Sequence, residues 1–234
     1  MNCSKQIVIW LMVVVALVSV YFLHTETYFP LWAKFSKNNT SIQVLDTNSS
    51  LGRYSNYTKQ IRLEDLAKIH GHLCDGLVIS FVELKEVFKK LFPNGIIDRT
   101  DIRIVSKNGP CWVDASSMLT GARINFGTLS IDKNVGNGFI VQKISTGETY
   151  QVKLKDGVFP DDLAKLETKI KSEAKAGKKV SNEDIEKLET LADKLSEKVL
   201  NSNPDELIEI RKLDNYKFKQ NTQTGIRTDV MNKN

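Results

Sequence analysis

Two of the three histidines and one of the three cysteines of this 234-residue chain lie within one short stretch, HGHLCDG, at residues 70–76. A second cysteine opens the later run CWVDASSMLTG, which also carries an aspartate. Thiolate sulfur and imidazole nitrogen are donors that zinc and related transition metals prefer. The candidate ligands of a zinc ion or another transition-metal ion are therefore His70, His72, Cys74, Cys111 and Asp114.

The spacing of these residues leaves several interpretations open. Cys74 and Cys111 are both expected at helix starts, where unpaired N–H groups and the positive end of the helix dipole favour the thiolate. This supports a metal site or a reactive thiol. Polar residues that are merely hydrogen-bonded at a helix junction would give the same pattern. A Cys74–Cys111 disulfide in an oxidising compartment, or a proton-transfer role for one histidine, are further alternatives.

Apolar spacing predicts the helices that must hold the two motifs. A short helix ends near His70, and apolar residues then recur at steps of three and four from Leu73 to Leu91, which predicts a long buried helix. Pro93 and the residues after it end this helix. Residues 111–121 are predicted as a second, shorter helix with glycine at its end.

The second half of the chain predicts strands and then a pair of helices. Short alternating pieces at about residues 128–131, 138–144 and 149–154 are separated by turn signals, and a short strand precedes them at 102–104. Three-four spacing returns at residues 160–200, with lysine and glutamate on the solvent side. We predict an α+β fold in which the long buried helix and the second short helix pack on an antiparallel sheet, followed by a helical hairpin.

The N-terminal run from Ile7 to Leu23 is apolar and uncharged. It approaches the length that a membrane-spanning helix needs and lacks a small-residue cleavage site, so we predict an uncleaved N-terminal transmembrane helix. N-x-S/T sequons after it favour a single-pass membrane protein with an extracytoplasmic body. The predicted divisions are a membrane anchor and interface at 1–36, a polar linker at 37–59, a folded domain at 60–218 and a disordered tail at 219–234.

Composition excludes one class of function. The formal charge is +5, and the lysines of the last third alternate with glutamates instead of forming a basic block. Nucleic-acid binding is therefore not expected. Hydrophobic residues make up 41% of the chain, which is typical of a globular domain with one sizeable core.

The two motifs resemble those of the formylmethanofuran dehydrogenase FmdE family. The residues that match its first pattern, H-G-H-x-C-P-G, are His70, Gly71, His72, Cys74 and Gly76. Those that match its second pattern, C-x-V-D-A followed by T-G, are Cys111, Val113, Asp114, Ala115, Thr120 and Gly121. The likeness extends from about Ile61 to Phe218.

This resemblance implies an α+β domain that forms an intertwined homodimer, with a metal or thiol site gathered from the His and Cys positions. His72, Cys74 and Cys111 would then be the main ligands. His70 would orient the junction, and Asp114 would accept a hydrogen bond that fixes an imidazole. Cys74 and Asp114 are the candidate catalytic residues. A link to one-carbon or redox metabolism follows from family analogy alone.

The chain departs from the family pattern at three places. Asp75 replaces a proline, and Ser80-Phe81-Val82 replaces a G-x-R in the long helix, so an arginine is missing. Ala122 stands where the family usually has a further cysteine, and Arg123 after it adds a cation. These differences concern a third cysteine ligand and substrate binding more than the fold.

Two functions of different classes remain open. The first is a membrane-tethered metal-binding domain with hydrolytic or redox chemistry. The second is a non-catalytic, membrane-tethered interaction or sensor module that keeps the dimeric fold and meets a protein partner through the helical hairpin. The thiol state discriminates between them, because the first requires a reduced pair of cysteines and the second does not.

Overall fold

A computed structural model describes residues 3–24, 28–48 and 54–221, and the side chains of the first helix only for residues 6–16. The helices are α1 (Cys3–His24), α2 (Leu31–Lys34), α3 (Leu63–His70), α4 (Asp75–Leu91), α5 (Pro110–Thr120), α6 (Asp161–Lys175), α7 (Asn182–Asn201) and α8 (Pro204–Leu207). The strands are β1 (Ile42–Leu45), β2 (Lys59–Ile61), β3 (Ile96–Asp98), β4 (Ile102–Ser106), β5 (Leu129–Ile131), β6 (Gly138–Lys143), β7 (Thr149–Leu154) and β8 (Ile208–Lys212). The predicted α+β fold is confirmed.

The larger sheet has five strands in the order β5-β4-β6-β7-β8. The β4–β6, β6–β7 and β7–β8 pairs are antiparallel, whereas β5 pairs with β4 in parallel. The sequence predicted three consecutive strands, here β5, β6 and β7, in one antiparallel sheet. Only β6 and β7 are neighbours, because β4 lies between β5 and β6. Alternation of apolar residues identifies a strand but does not identify its neighbour.

The long helix α4 is the centre of the core. It contacts α5 and α7 as well as strands β6 and β7. Most of its 17 residues are buried, including Phe81 and Leu84, which are fully enclosed. The predicted long buried helix is thus present with the expected end, since the helix stops at the residue before Phe92-Pro93.

Helix α5 has the end signals that its sequence predicts. Pro110 occupies its first turn, where the missing N–H is not needed. Gly121 follows its last residue with φ of 69°, a left-handed conformation that glycine adopts without strain. These two residues fix the length of α5, and its N-terminal end lies against α4.

The structure contradicts the predicted membrane anchor. Within the described residues, no helix combines the length and the apolar character that crossing a membrane requires. The N-terminal transmembrane helix, the single-pass membrane localisation and the extracytoplasmic body were therefore wrong predictions.

The segment predicted as a polar linker, residues 37–59, carries regular structure. It contains β1, which pairs with β2 in antiparallel and with β3 in parallel orientation. The Asn38 side chain donates hydrogen bonds to the carbonyls of Val199 and Ser202 at the end of α7. Its polar composition thus reflects contacts with backbone carbonyls. Of the predicted disordered tail, residues 222–234 lie outside the described residues.

The predicted helical hairpin corresponds to α6 and α7. Leu163 and Ile170 of α6 and Leu195 and Val199 of α7 are buried. The Ser181 side chain accepts a hydrogen bond from the backbone N–H of Asp184 and so begins α7. The hairpin continues the fold around α4, because α7 packs directly on that helix.

Candidate functional site

The candidate residues come from two helix junctions that lie against each other. His70 is the last residue of α3, and Gly71, with φ of 106°, turns the chain away from the helix. Cys74 is the N-cap of α4. Cys111 lies in the first turn of α5, and Asp114 follows one turn later. Because α3, α4 and α5 contact one another, residues that are far apart in the sequence meet at one place.

Two sulfur atoms and one imidazole nitrogen form a compact triangle. The Sγ atoms of Cys74 and Cys111 are 3.4 Å apart. Each of them is 3.8 Å from Nε2 of His70. A disulfide would place the sulfurs about 2.05 Å apart, so these two are not bonded to each other. The three atoms, which we call the metal triangle, are close enough to share one ligand.

Asp114 fixes the imidazole of His70. Its Oδ2 lies 2.8 Å from Nδ1 of His70. A carboxylate oxygen can only accept a hydrogen bond, so Nδ1 carries a proton and donates the hydrogen bond to Asp114. Nε2 is then the nitrogen that points to the thiols. The His70 side chain is only 5% exposed, which further restricts the ring. The predicted role of Asp114 as the acceptor for an imidazole matches this contact.

His72 lies beside the triangle and is exposed to solvent. Its ring centroid is 4.9 Å from that of His70. His70, His72 and Cys74 each offer a ligand atom within 4.8 Å of the other two, so this group could bind a metal ion. The prediction made His72 a main ligand and His70 an orienting residue, whereas the structure places Nε2 of His70 3.8 Å from each of the two sulfurs.

Hydrogen bonds and burial shift the pKa values of all three groups in the metal triangle. The bond to Asp114, and then the one to Cys111, raise the pKa of His70 to about 9. The hydrogen bond from Cys74, and then the one from His70, lower the pKa of Cys111 to about 5. The same contact and burial raise the pKa of Cys74. These contacts therefore favour the thiolate at Cys111 over one at Cys74, the predicted catalytic thiol.

The triangle has the dimensions of one face of a zinc site. With Zn–S of about 2.3 Å and Zn–N of about 2.0–2.1 Å, a tetrahedral ion gives S···S edges of about 3.8 Å and S···N edges of about 3.6 Å. The edges here are 3.4 Å between the sulfurs and 3.8 Å from each sulfur to nitrogen. The residues present therefore fit zinc, both in their donor atoms and in their separations.

Gly76 allows α4 and α5 to approach this closely. A Cβ atom at this position would stand 2.9 Å from Sγ of Cys111 and 3.0 Å from the nearest ring atom of Trp112. Any side chain larger than that of glycine would force the two helix starts apart. Gly76 matched the family motif, but the sequence alone assigned it no role. Its position in the first turn of a buried helix was the available signal.

The charged groups of Lys107, Asp75 and Glu167 lie near the metal triangle. Nζ of Lys107 lies 3.4 Å from the ring centroid of Trp112 and 2.9 Å from Oδ1 of Asn137. Burial, followed by the charge of Glu167 on α6, raises the pKa of Asp75 to about 6. Helix α6 therefore contributes charge near the site, although the sequence predicted only a solvated face there.

Comparison with known proteins supports the resemblance carried by the two motifs. A family model described as "FmdE, Molybdenum formylmethanofuran dehydrogenase operon" matches residues 69–209. The matched residues include every member of the metal triangle and make up more than half of the 234-residue chain. No curated protein matches the chain. The extent of the family match, together with the order of its motifs, places this chain in the FmdE family.

Proposed function

We propose that this FmdE-family domain binds a zinc ion through Cys74, Cys111 and His70, with the exposed His72 next to the remaining coordination position. The observation that carries the proposal is the metal triangle, whose edges of 3.4 and 3.8 Å lie within about 0.4 Å of those of tetrahedral zinc. Two thiolates and an imidazole are also a donor set that selects zinc over magnesium or calcium.

The chain's own residues would prepare this site before the ion arrives. Asp114 holds Nδ1 of His70, so Nε2 remains available for the metal once it releases its proton. Cys111 lies in the first turn of α5, where the positive end of the helix dipole favours its thiolate, and Cys74 would lose its proton on binding the ion. A zinc ion held by three protein ligands acts as a Lewis acid toward whatever occupies the fourth position.

Metal analysis of the full chain tests the proposal. The wild type should contain about one zinc ion per chain when purified without chelator, and both Cys74→Ser and Cys111→Ser should lose it. Cys3→Ser is the matched control, because Cys3 lies in α1, and it should keep the metal. Circular dichroism would establish that each variant is folded.

Two outcomes would contradict the proposal. One is a reduced wild-type protein without stoichiometric metal, which would favour the non-catalytic interaction or sensor module. The other is undiminished zinc in both site variants. The homodimer and the link to one-carbon or redox metabolism stay predictions that rest on membership of the family. The protein partner stays a prediction that rests on the helical hairpin.

A further inference from the structure

The two sulfurs of the metal triangle are as well placed to react with each other as to share a metal ion. They are 3.4 Å apart, and a disulfide requires about 2.05 Å. The gap of about 1.4 Å is small beside the movement of a cysteine sulfur when its side chain changes rotamer. Because α4 and α5 already pack together at this point, bond formation needs no rearrangement of the helices.

We propose that Cys74 and Cys111 are also a site of reversible oxidative modification, at which a hydroperoxide forms a disulfide and thereby expels the bound metal ion. The release step rests on the proposed zinc site, whereas the bond-forming step needs only the two cysteines. Both cysteines are half-buried, and the neighbouring Gly71 and His72 are exposed, so a molecule as small as hydrogen peroxide can reach the pair.

The reaction balances with hydrogen peroxide as the oxidant. One thiolate attacks a peroxide oxygen, so that an S–O bond forms, the O–O bond breaks and hydroxide leaves. The second thiolate attacks the resulting sulfenic acid, so that the S–S bond forms, the S–O bond breaks and a second hydroxide leaves. Two thiolates have then lost two electrons in total, and one peroxide has gained them.

The disulfide would remove the anionic ligands from the metal site. Only His70 and His72 would remain, and two neutral imidazoles bind zinc far more weakly than a set that includes two thiolates. Asp114 would still hold His70 in place. Reduction of the disulfide by a dithiol would therefore restore both thiolate ligands, and the site could bind zinc again.

The test uses the full chain with Cys3→Ser, so that Cys74 and Cys111 are its only thiols. The zinc content of the reduced protein is measured first, and hydrogen peroxide is then added. A metal-binding dye follows zinc release, and intact mass follows the loss of two hydrogen atoms. We expect one disulfide per zinc ion released, a Cys74–Cys111 link in the peptide map, and recovery of zinc binding after treatment with dithiothreitol and zinc.

The possible failures point to different parts of the argument. A reduced protein without zinc contradicts the proposed metal site, and peroxide treatment of that protein still tests the disulfide. Zinc that is present but retained under excess peroxide overturns this proposal alone. Release accompanied by sulfinic acid on one cysteine, without the S–S bond, also overturns it. The Cys74→Ser variant is the control and should show no loss of two hydrogens.

Discussion

Replacing Gly76 by alanine tests whether the close approach of α4 and α5 creates the metal site. The new Cβ would stand 2.9 Å from Sγ of Cys111, and ordinary contacts begin near 3.4 Å, so the sulfur must retreat by about 0.5 Å. Metal sites tolerate deviations of about 0.2 Å. We therefore expect zinc affinity to fall at least about tenfold, which corresponds to about 1.4 kcal/mol.

The same substitution at Gly109 is the matched control. A Cβ there would lie 3.5 Å from Trp112, which is an ordinary contact, and its extended backbone, with φ of −172°, suits any residue. Competition with a chromophoric chelator measures the affinity of both variants, and urea denaturation measures their stability. Gly76→Ala should cost about 1–3 kcal/mol of unfolding free energy from overpacking, partly offset by its better helix propensity. Equal zinc affinity in the two variants would refute the argument.

Three further predictions follow from the contacts of single side chains. Asp114→Ala should lower zinc affinity about 10- to 100-fold without unfolding the domain, because His70 loses the acceptor that fixes its orientation; chelator competition measures this, and unchanged affinity would contradict it. In the metal-free protein, alkylation of Cys111 by iodoacetamide should rise with a midpoint near pH 5, since the thiolate forms there. A midpoint near the ordinary thiol pKa would contradict that assignment. Among the described residues, Glu83 is fully buried with no hydrogen-bond partner for either carboxyl oxygen, and burial raises its pKa. A raised carboxyl pKa costs stability as pH rises above the unfolded value, so Glu83→Gln should stabilise the protein at pH 7 by about 1 kcal/mol or more. Urea denaturation at pH 5 and pH 8 checks this, with Glu86→Gln as a control that should show no such gain.

Local signals in the sequence predicted the helices that hold the site. Apolar spacing identified α4, and the glycine at position 121 identified the end of α5. These features depend on residues within one element, which a single sequence contains. The contact between His70 and Asp114 could not be derived in the same way, because it joins residues 44 positions apart through the packing of two helices.

Tertiary contacts order part of the segment that composition assigned to a polar linker. Residues 37–59 contain many polar residues, yet Val44 is fully buried in β1, and Asn38 binds carbonyls at the end of α7. A polar composition therefore did not exclude ordered structure. Likewise, the apolar character of the first helix predicted a membrane span that the described residues do not support.

The position of Ala122 shows which family difference matters for the metal triangle. The sequence predicted that its replacement of a cysteine removes a third cysteine ligand. Thr120 lies nine positions after Cys111 in α5, which is about 14 Å along the helix, and the ligands of one zinc ion lie within about 4 Å of one another. Ala122 comes two residues after Thr120, beyond the far end of α5, so we expect a cysteine there to lie too far from Cys111 to share an ion with it within one chain. Asp75, which replaces the family's proline beside Cys74, is the difference that lies at the site, and its buried carboxyl has a pKa of about 6.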